Sequence, residues 1–378
     1  MSNCKKCGLP GSIILRKKDL YCTECFQINI NHKFRACIGK NKILNGNENV
    51  LICLSGGPCS TVLMDLIHNG ITLNNHKKLS IRPIFFHLMG LSEKTDAVLL
   101  TKALIEKCNH YKFNIYVGHI AQYLLKDIDL PEVNVVPEVN NNLSVQFNDL
   151  VHSMSVSSKI DFVSKASRDL YINFAKLLQC RYVFTGETLG TLATNLLTNL
   201  TIGRGSQVQH DVGFCDNRSQ IKILRPIKDI SQEEIDQYIK INQLDIALTS
   251  SPINQENCLQ TVIKNFVIDL QENYQATVST VCKTADKIGI GTKKCNTCEI
   301  CESDVGEISN KLSALEATNF SSTISAGQDH MTLENNLSIK ATVYSMFPHV
   351  NQTLCYTCSK MFSEIDLNIM PERLKEVL

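Results

Sequence analysis

Seventeen cysteines occur in this chain, and nine of them stand in CxxC-type pairs, the spacing at which two thiolates can face one metal ion. Cys4 and Cys7, then fourteen residues, then Cys22 and Cys25 supply four soft ligands in two knuckles. Four thiolates close a tetrahedral zinc site and leave no open position, so the expected role is structural. A segment this short cannot build its own core, and metal binding would supply most of its folding energy. Near the other end, Cys295, Cys298, Cys301, Cys355 and Cys358 offer five thiols for four places. The expected ligands are Cys298, Cys301, Cys355 and Cys358, two pairs brought together across a long loop, with Cys295 a spare or alternative ligand. An iron–sulfur cluster also takes four thiolates; zinc is the preferred reading at both sites.

A second chemistry-bearing stretch is VLICLSGGPCST, residues 50–61. A glycine-rich turn between a buried strand and a helix presents backbone N–H groups and a helix N-terminus to an anion. Ser55, Gly56, Gly57 and Ser60 are the candidate phosphate-holding residues. The stretch is not a Walker loop, which needs GxxxxGK[ST]. Cys59 occupies a place where a catalytic loop would carry charge. Taken alone, the loop reads equally as a nucleotide site and as a tight turn whose glycines permit close packing.

The elements that must position these groups follow from the pattern. Apolar strands at 50–54, 81–88, 113–120, 181–186 and 221–227 alternate with helical stretches at 60–69, 95–110, 159–179, 187–199 and 231–242. That alternation predicts an α/β fold with a doubly wound, mainly parallel sheet covered on both faces. Residues 31–45 read as a helix leading into this core. Residues 127–158, with Pro131, Pro137 and Asn140-Asn141-Asn142, read as a surface excursion with little structure of its own. Residues 256–288 read as one or two helices with Val262, Phe266, Val267 and Leu270 on an apolar face. Three regions are expected: 1–45, a Cys4 zinc module and basic helix; 46–250, the α/β domain; and 251–378, a helical segment and the second zinc module.

Composition bounds the partners. At 43% hydrophobic and 20% charged the chain is an ordinary globular protein, and no stretch approaches the ~20 apolar residues of a membrane span. The start, MSNCKKCGLP, has no apolar signal region, which points to a cytoplasmic address where thiols stay reduced. Net charge is +1, yet residues 1–45 carry nine Lys or Arg against Asp19 and Glu24, so that segment is +7 and the remainder −6. A basic module on a neutral protein suggests a polyanion partner; a merely solvated surface is the alternative. Lys159, Lys165 and Arg168 are expected on a solvated helix face.

The loop at 55–60 resembles the SGGxDS loop of the N-type ATP pyrophosphatases, or PP-loop enzymes, with Cys59 in place of the acid. Other pieces join it in order: the N-terminal CxxC…CxxCF, Lys33-Phe34-Arg35, TGETLGTLATNLLTNLTIGRG at 185–205, ILRPIKDISQEEIDQYI at 223–239 and LCYTC at 354–358. This set is similar, over nearly the full chain, to the cytoplasmic tRNA 2-thiolation protein 2 family. The resemblance implies a degenerate PP-loop fold and a partner subunit, cytoplasmic tRNA 2-thiolation protein 1, with which the family thiolates C2 of the wobble uridine (mcm5s2U) of tRNAs for Lys, Glu and Gln. It further implies sulfur delivered by a thiocarboxylated ubiquitin-like carrier.

The departures bear on catalysis. The central CxxC of the catalytic partner has no counterpart around 157–171. Its GHNADD motif reads Gly186-Glu187-Thr188-Leu189-Gly190-Thr191 here. The cysteine before its KPL segment is absent, since Ile223 and Leu224 precede the RPI at 225–227 and Cys215 comes about ten residues early. Lost acids and lost cysteines weigh against ATP as a cofactor of this chain and against sulfur transfer by it alone. What remains is tRNA binding by the basic module, with Lys33, Arg35 and Arg204 as the candidate phosphate contacts and Phe34 more a packing residue than a stacking one. The competing expectations are an autonomous PP-loop enzyme using Cys59 or Cys215, and a zinc-stabilised scaffold without RNA contact.

Overall fold

The structure is a computed structural model that describes residues 3–15, 17–73, 78–91, 96–247, 258–287, 297–303, 318, 321, 354–365 and 369–375. The chain divides into two compact units, Met1–Ile290 and Gly291–Leu378. The first unit thus runs past residue 250, because the helices beyond that point pack on the α/β core.

The chain opens with a short antiparallel hairpin, β1 (Ile13–Leu15) and β2 (Asp19–Tyr21), followed by α1 (Thr23–Asn41). Alternation fixes the hairpin's faces: Ile13 and Leu15 point inward and Ile14 outward. Helix α1 starts eight residues earlier than the pattern at 31–45 predicts, because Cys22 caps it and Cys25 lies in its first turn. Phe26, Ile30, Phe34, Cys37 and Ile38 recur at helical spacing and enter the main core with β1.

The sheet that follows has the order β5-β4-β3-β6-β8-β7. Its strands are β3 (Glu48–Cys53), β4 (Ile81–Met89), β5 (Ile115–His119), β6 (Tyr182–Phe184), β7 (Cys215–Asp216) and β8 (Lys222–Leu224). All neighbours pair in parallel except β7 with β8. Val50, Leu51 and Ile52 of central β3 are fully buried, as a strand covered on both faces requires. Chain order reverses on either side of β3, the arrangement that leaves a crevice at the strands' carboxyl ends. The doubly wound, mainly parallel α/β fold expected from the sequence is the one observed.

Helices α2 (Pro58–Thr72), α3 (Ala97–His110), α5 (Val156–Leu177), α6 (Leu189–Thr201) and α8 (Gln232–Asn242) match the predicted stretches. One expectation is corrected: within 127–158, α4 (Asn141–His152) is a regular helix that buries Phe147, Leu150 and Val151. Asn140 is its N-cap, with its side-chain oxygen accepting from the Leu143 amide at 3.2 Å. The asparagine run is a helix start, not a breaker.

After the short α7 (Val208–Val212), helices α9 (Leu259–Asn273) and α10 (Gln275–Ala285) pack with α6 in a second small core. Here too the sequence reading needs correction. Ile263 and Val267 face that core, whereas Val262 and Phe266 are 62% and 52% exposed. In the second unit, α11 (Tyr356–Phe362) and α12 (Glu372–Lys375) carry Cys358, Met361, Phe362 and Leu374 inward.

Candidate functional site

The two cysteine clusters assemble as the spacing predicts. In each, Cys4, Cys7, Cys22 and Cys25 or Cys298, Cys301, Cys355 and Cys358, the four sulfurs lie within 4.8 Å of one another. The Cys7–Cys22 and Cys301–Cys355 separations are 3.6 Å. A tetrahedron with metal–sulfur bonds of about 2.3 Å has edges of about 3.8 Å, so both sets fit a single ion. A four-iron cluster interposes irons and sulfides between the thiolates and would hold them farther apart. Cys295 lies outside the described residues.

Local geometry explains why these sulfurs converge. Gly8, at φ +76°, lets the first knuckle turn back, with its amide donating to the Cys4 carbonyl at 3.0 Å. The Cys25 amide donates to the Cys22 sulfur at 3.5 Å, so the second knuckle sits on the positive end of α1. Backbone donors, Cys7's first among them, pull the Cys4 thiol down to about 6. Cys25 is pushed up to about 12 by its crowding against Cys22 and Cys7. Four thiolates cannot share this space unless a cation neutralises them.

The loop at 55–60 has the shape of an anion cradle and has closed on itself. Gly56 adopts φ +83°, and Pro58 occupies the first turn of α2, where its missing N–H costs nothing. The Ser55 and Ser60 hydroxyls are 3.0 Å apart, Ser60 donates to the Gly57 carbonyl at 3.1 Å, and the Gly57 amide donates to Ser55 at 3.4 Å. Gly186, two residues beyond β6, presses on the loop: a Cβ there would lie 3.2 Å from the Ser60 nitrogen.

Around this loop, the carboxyl edge of the sheet is held by ion pairs. Glu187 accepts from Arg225 Nε at 2.6 Å, from Thr185 at 2.9 Å and from Asn195 at 3.3 Å. Arg225 also donates to the carbonyls of His210 and Gly213, both at 2.9 Å. Beside it, Asp216 receives Arg218 Nη2 at 2.7 Å and Arg168 Nε at 3.0 Å, while Arg218 also reaches Asp211 at 2.8 Å. Arg168 and Lys165 are therefore internal, not a solvated face. Glu187 and Arg225 each lie inside a motif visible in the sequence, but no sequence spacing pairs them.

The thiols near this edge are held neutral. Burial, and then Asp236, pushes Cys59 up to about 11. Burial likewise raises Cys53, with Glu187 adding to it, and raises Cys215 against the opposing pull of Lys222. A neutral thiol is a poor nucleophile.

The candidate RNA contacts fare differently from one another. Arg204 is corrected: it is 3% exposed and donates to Asp161 at 2.6 Å, so its guanidinium is not available to a phosphate. Lys33 is half-buried and bonds both carboxylate oxygens of Glu234 at 2.7 Å and the Asp229 carbonyl at 3.2 Å, tying α1 to α8. Phe34 is buried in the core. Arg35 is half-exposed and makes no hydrogen bond or ion pair among the described residues.

Comparisons with known proteins bear on this arrangement. The family model for cytoplasmic tRNA 2-thiolation protein 2 matches residues 258–360. The protein of that name from Drosophila erecta is 31% identical over 385 residues, covering 96% of this chain and 91% of the relative. The one from Drosophila melanogaster is 32% identical over 334 residues, covering 83% and 80%. Among solved structures, the U34-tRNA thiolase NcsA from Methanococcus maripaludis, with its [4Fe-4S] cluster, superposes with a TM-score of 0.59 at 18% identity. The match covers 81% of this chain and 94% of that one, and establishes likeness of fold.

Proposed function

This chain belongs to the cytoplasmic tRNA 2-thiolation protein 2 family, and from that premise we propose that it is the tRNA-binding, non-catalytic subunit of a tRNA wobble-uridine thiolase. Its partners in this reading are the PP-loop subunit, cytoplasmic tRNA 2-thiolation protein 1, and a ubiquitin-like sulfur carrier. The complex works in the cytoplasm, and no helix among the described residues is long and apolar enough to cross a membrane.

One observation carries the proposal: among the described residues, the motif acid and the loop hydroxyls at the carboxyl edge of the sheet are already engaged. Glu187 is spent on Arg225, the loop hydroxyls on each other, and the nearby thiols are neutral. In this reading Glu187 is not free to hold magnesium, and the neutral Cys53, Cys59 and Cys215 are poor sulfur nucleophiles. We expect no ATP–pyrophosphate exchange from the isolated chain, nor from Cys59→Ser. Exchange in the wild type that is lost in Cys59→Ser would revive the autonomous enzyme.

Sulfur–sulfur distances near the edge of a single-ion tetrahedron support zinc at both clusters, in a structural role. Metal analysis of the purified chain should return two zincs.

The RNA-binding part now rests chiefly on Arg35 and the basic first 45 residues. Arg35→Glu should weaken tRNA binding severalfold and lower the salt slope of log K by about one. Arg204→Ala should leave tRNA affinity unchanged while lowering the melting temperature, since Asp161 loses a buried partner. The internal positions of Lys33 and Arg204 favour, as second reading, a zinc-stabilised scaffold without RNA contact. Salt-independent or absent tRNA binding by the wild type would select that reading.

A further inference from the structure

The larger cavity, about 460 Å³, opens between α1, the Phe214–Cys215 corner and the Lys228–Asp229 turn. Its two sides differ in chemistry. On the α1 side, His32 and Lys40 are exposed at the mouth and make no hydrogen bond or ion pair among the described residues. Across from them stand the exposed Asp229 and the half-buried Asp286. One oxygen of Asp286 accepts from Lys228 at 2.8 Å; the other, Oδ1, is buried and has no donor among the described residues. Buried Phe214 contributes an apolar wall.

This lining selects its occupant. A simple anion would meet Asp229 and Asp286, and a simple cation would meet Lys40 and Lys228. A fitting ligand carries a negative group at one end, N–H donors at the other and a flat apolar body between. The volume lies in the range of small-ligand pockets. A nucleotide has all these features, and unstacked RNA bases are read by hydrogen bonds to their edges.

We propose that this cavity takes one unstacked ribonucleotide of a bound RNA strand, its phosphate at His32 and Lys40 and its base edge at Asp286 and Asp229. The inference rests on the reading of the chain as tRNA-binding. The +7 charge of residues 1–45, and Arg35 on the same helix as the cavity mouth, favour RNA over the other zwitterionic candidate, a peptide terminus.

Ala36, exposed on α1 and lining the cavity, provides the test. Ala36→Trp should fill the mouth and weaken binding of a tRNA transcript by about tenfold, the scale of one lost stacking platform, without changing the melting temperature. Should that variant prove unstable, Lys40→Glu on the exposed rim serves in its place. Ultraviolet cross-linking of wild-type protein to the transcript, mapped by mass spectrometry, should place a nucleotide on Phe214, Cys215 or Cys37. Wild-type affinity in both variants, with cross-links only elsewhere, overturns this inference alone. Retained tRNA affinity with loss of the partner subunit would assign the cavity to a protein segment and overturn it as well. If the wild type binds no tRNA, the parent reading falls and takes this one with it.

Discussion

Asp216→Asn should destabilise the first unit by about 3–5 kcal/mol, the cost of removing one member of a buried ion pair and leaving its partner charged. Asp216 is fully buried and holds both Arg168 and Arg218. Arg218 keeps Asp211, which limits the loss, but Arg168 gives up its Asp216 contact. For a unit of this size the shift in melting temperature should be roughly 5–8 °C, measurable by circular dichroism. The pH dependence has a definite sign. Burial pushes the Asp216 carboxyl up, yet Arg218 and Arg168 outweigh it and hold the group well below the usual carboxylate range. A depressed folded-state pKa contributes stability that is fully present above the unfolded value of about 4 and is lost as pH falls below it. The gap between wild type and Asp216→Asn should therefore narrow below about pH 4. A gap independent of pH would mean that packing, not charge, is what the substitution removed.

Loss of the N-terminal metal should have the broadest consequence. Cys22→Ser removes one ligand and the sulfur that caps α1. Zinc content should fall from two to one per chain. Metal binding in isolated modules of this type is worth about 10–16 kcal/mol. Only the part that exceeds the cost of unfolding residues 1–30 locally will register here. Because Ile13, Leu15, Phe26 and Ile30 belong to the main core, the first unit should lose stability as well as its basic module. We expect tRNA affinity to drop more than about tenfold, since the Lys-rich segment is no longer held in place. Cys295→Ser is the matched control and should retain both zincs, as Cys298, Cys301, Cys355 and Cys358 already converge without it. A single zinc in Cys295→Ser would reassign the second site.

Much of this architecture was legible because it is written in local patterns. Buried runs such as Val50–Ile52 announce a strand covered on both faces, and CxxC spacing announces a knuckle. What stayed hidden depends on residues far apart in the chain. Arg204 finds Asp161 forty-three positions away, and Glu187 finds Arg225 thirty-eight away, so no spacing rule separates a phosphate contact from an internal ion pair. Helix α9 carries two neighbouring apolar stripes, and periodicity alone cannot say that Ile263 and Val267 pack while Val262 and Phe266 face outward. Helix α4 was missed for another reason: Asn140 is favoured both in turns and at helix starts, and the deciding signal was the apolar spacing after it. The loop at 55–60 lay between these cases. Its departure at Cys59 was visible in the sequence, but only the structure brings out how fully its hydroxyls satisfy one another.

We propose that this subunit binds and presents tRNA while its partner performs the chemistry. The most direct test is ATP-dependent 2-thiolation of a tRNA transcript by the purified chain, by the purified catalytic subunit, and by the two together, with the sulfur carrier supplied. We expect no thiolation from this chain alone and strong thiolation only when both subunits are present. Robust thiolation by the isolated chain would contradict it.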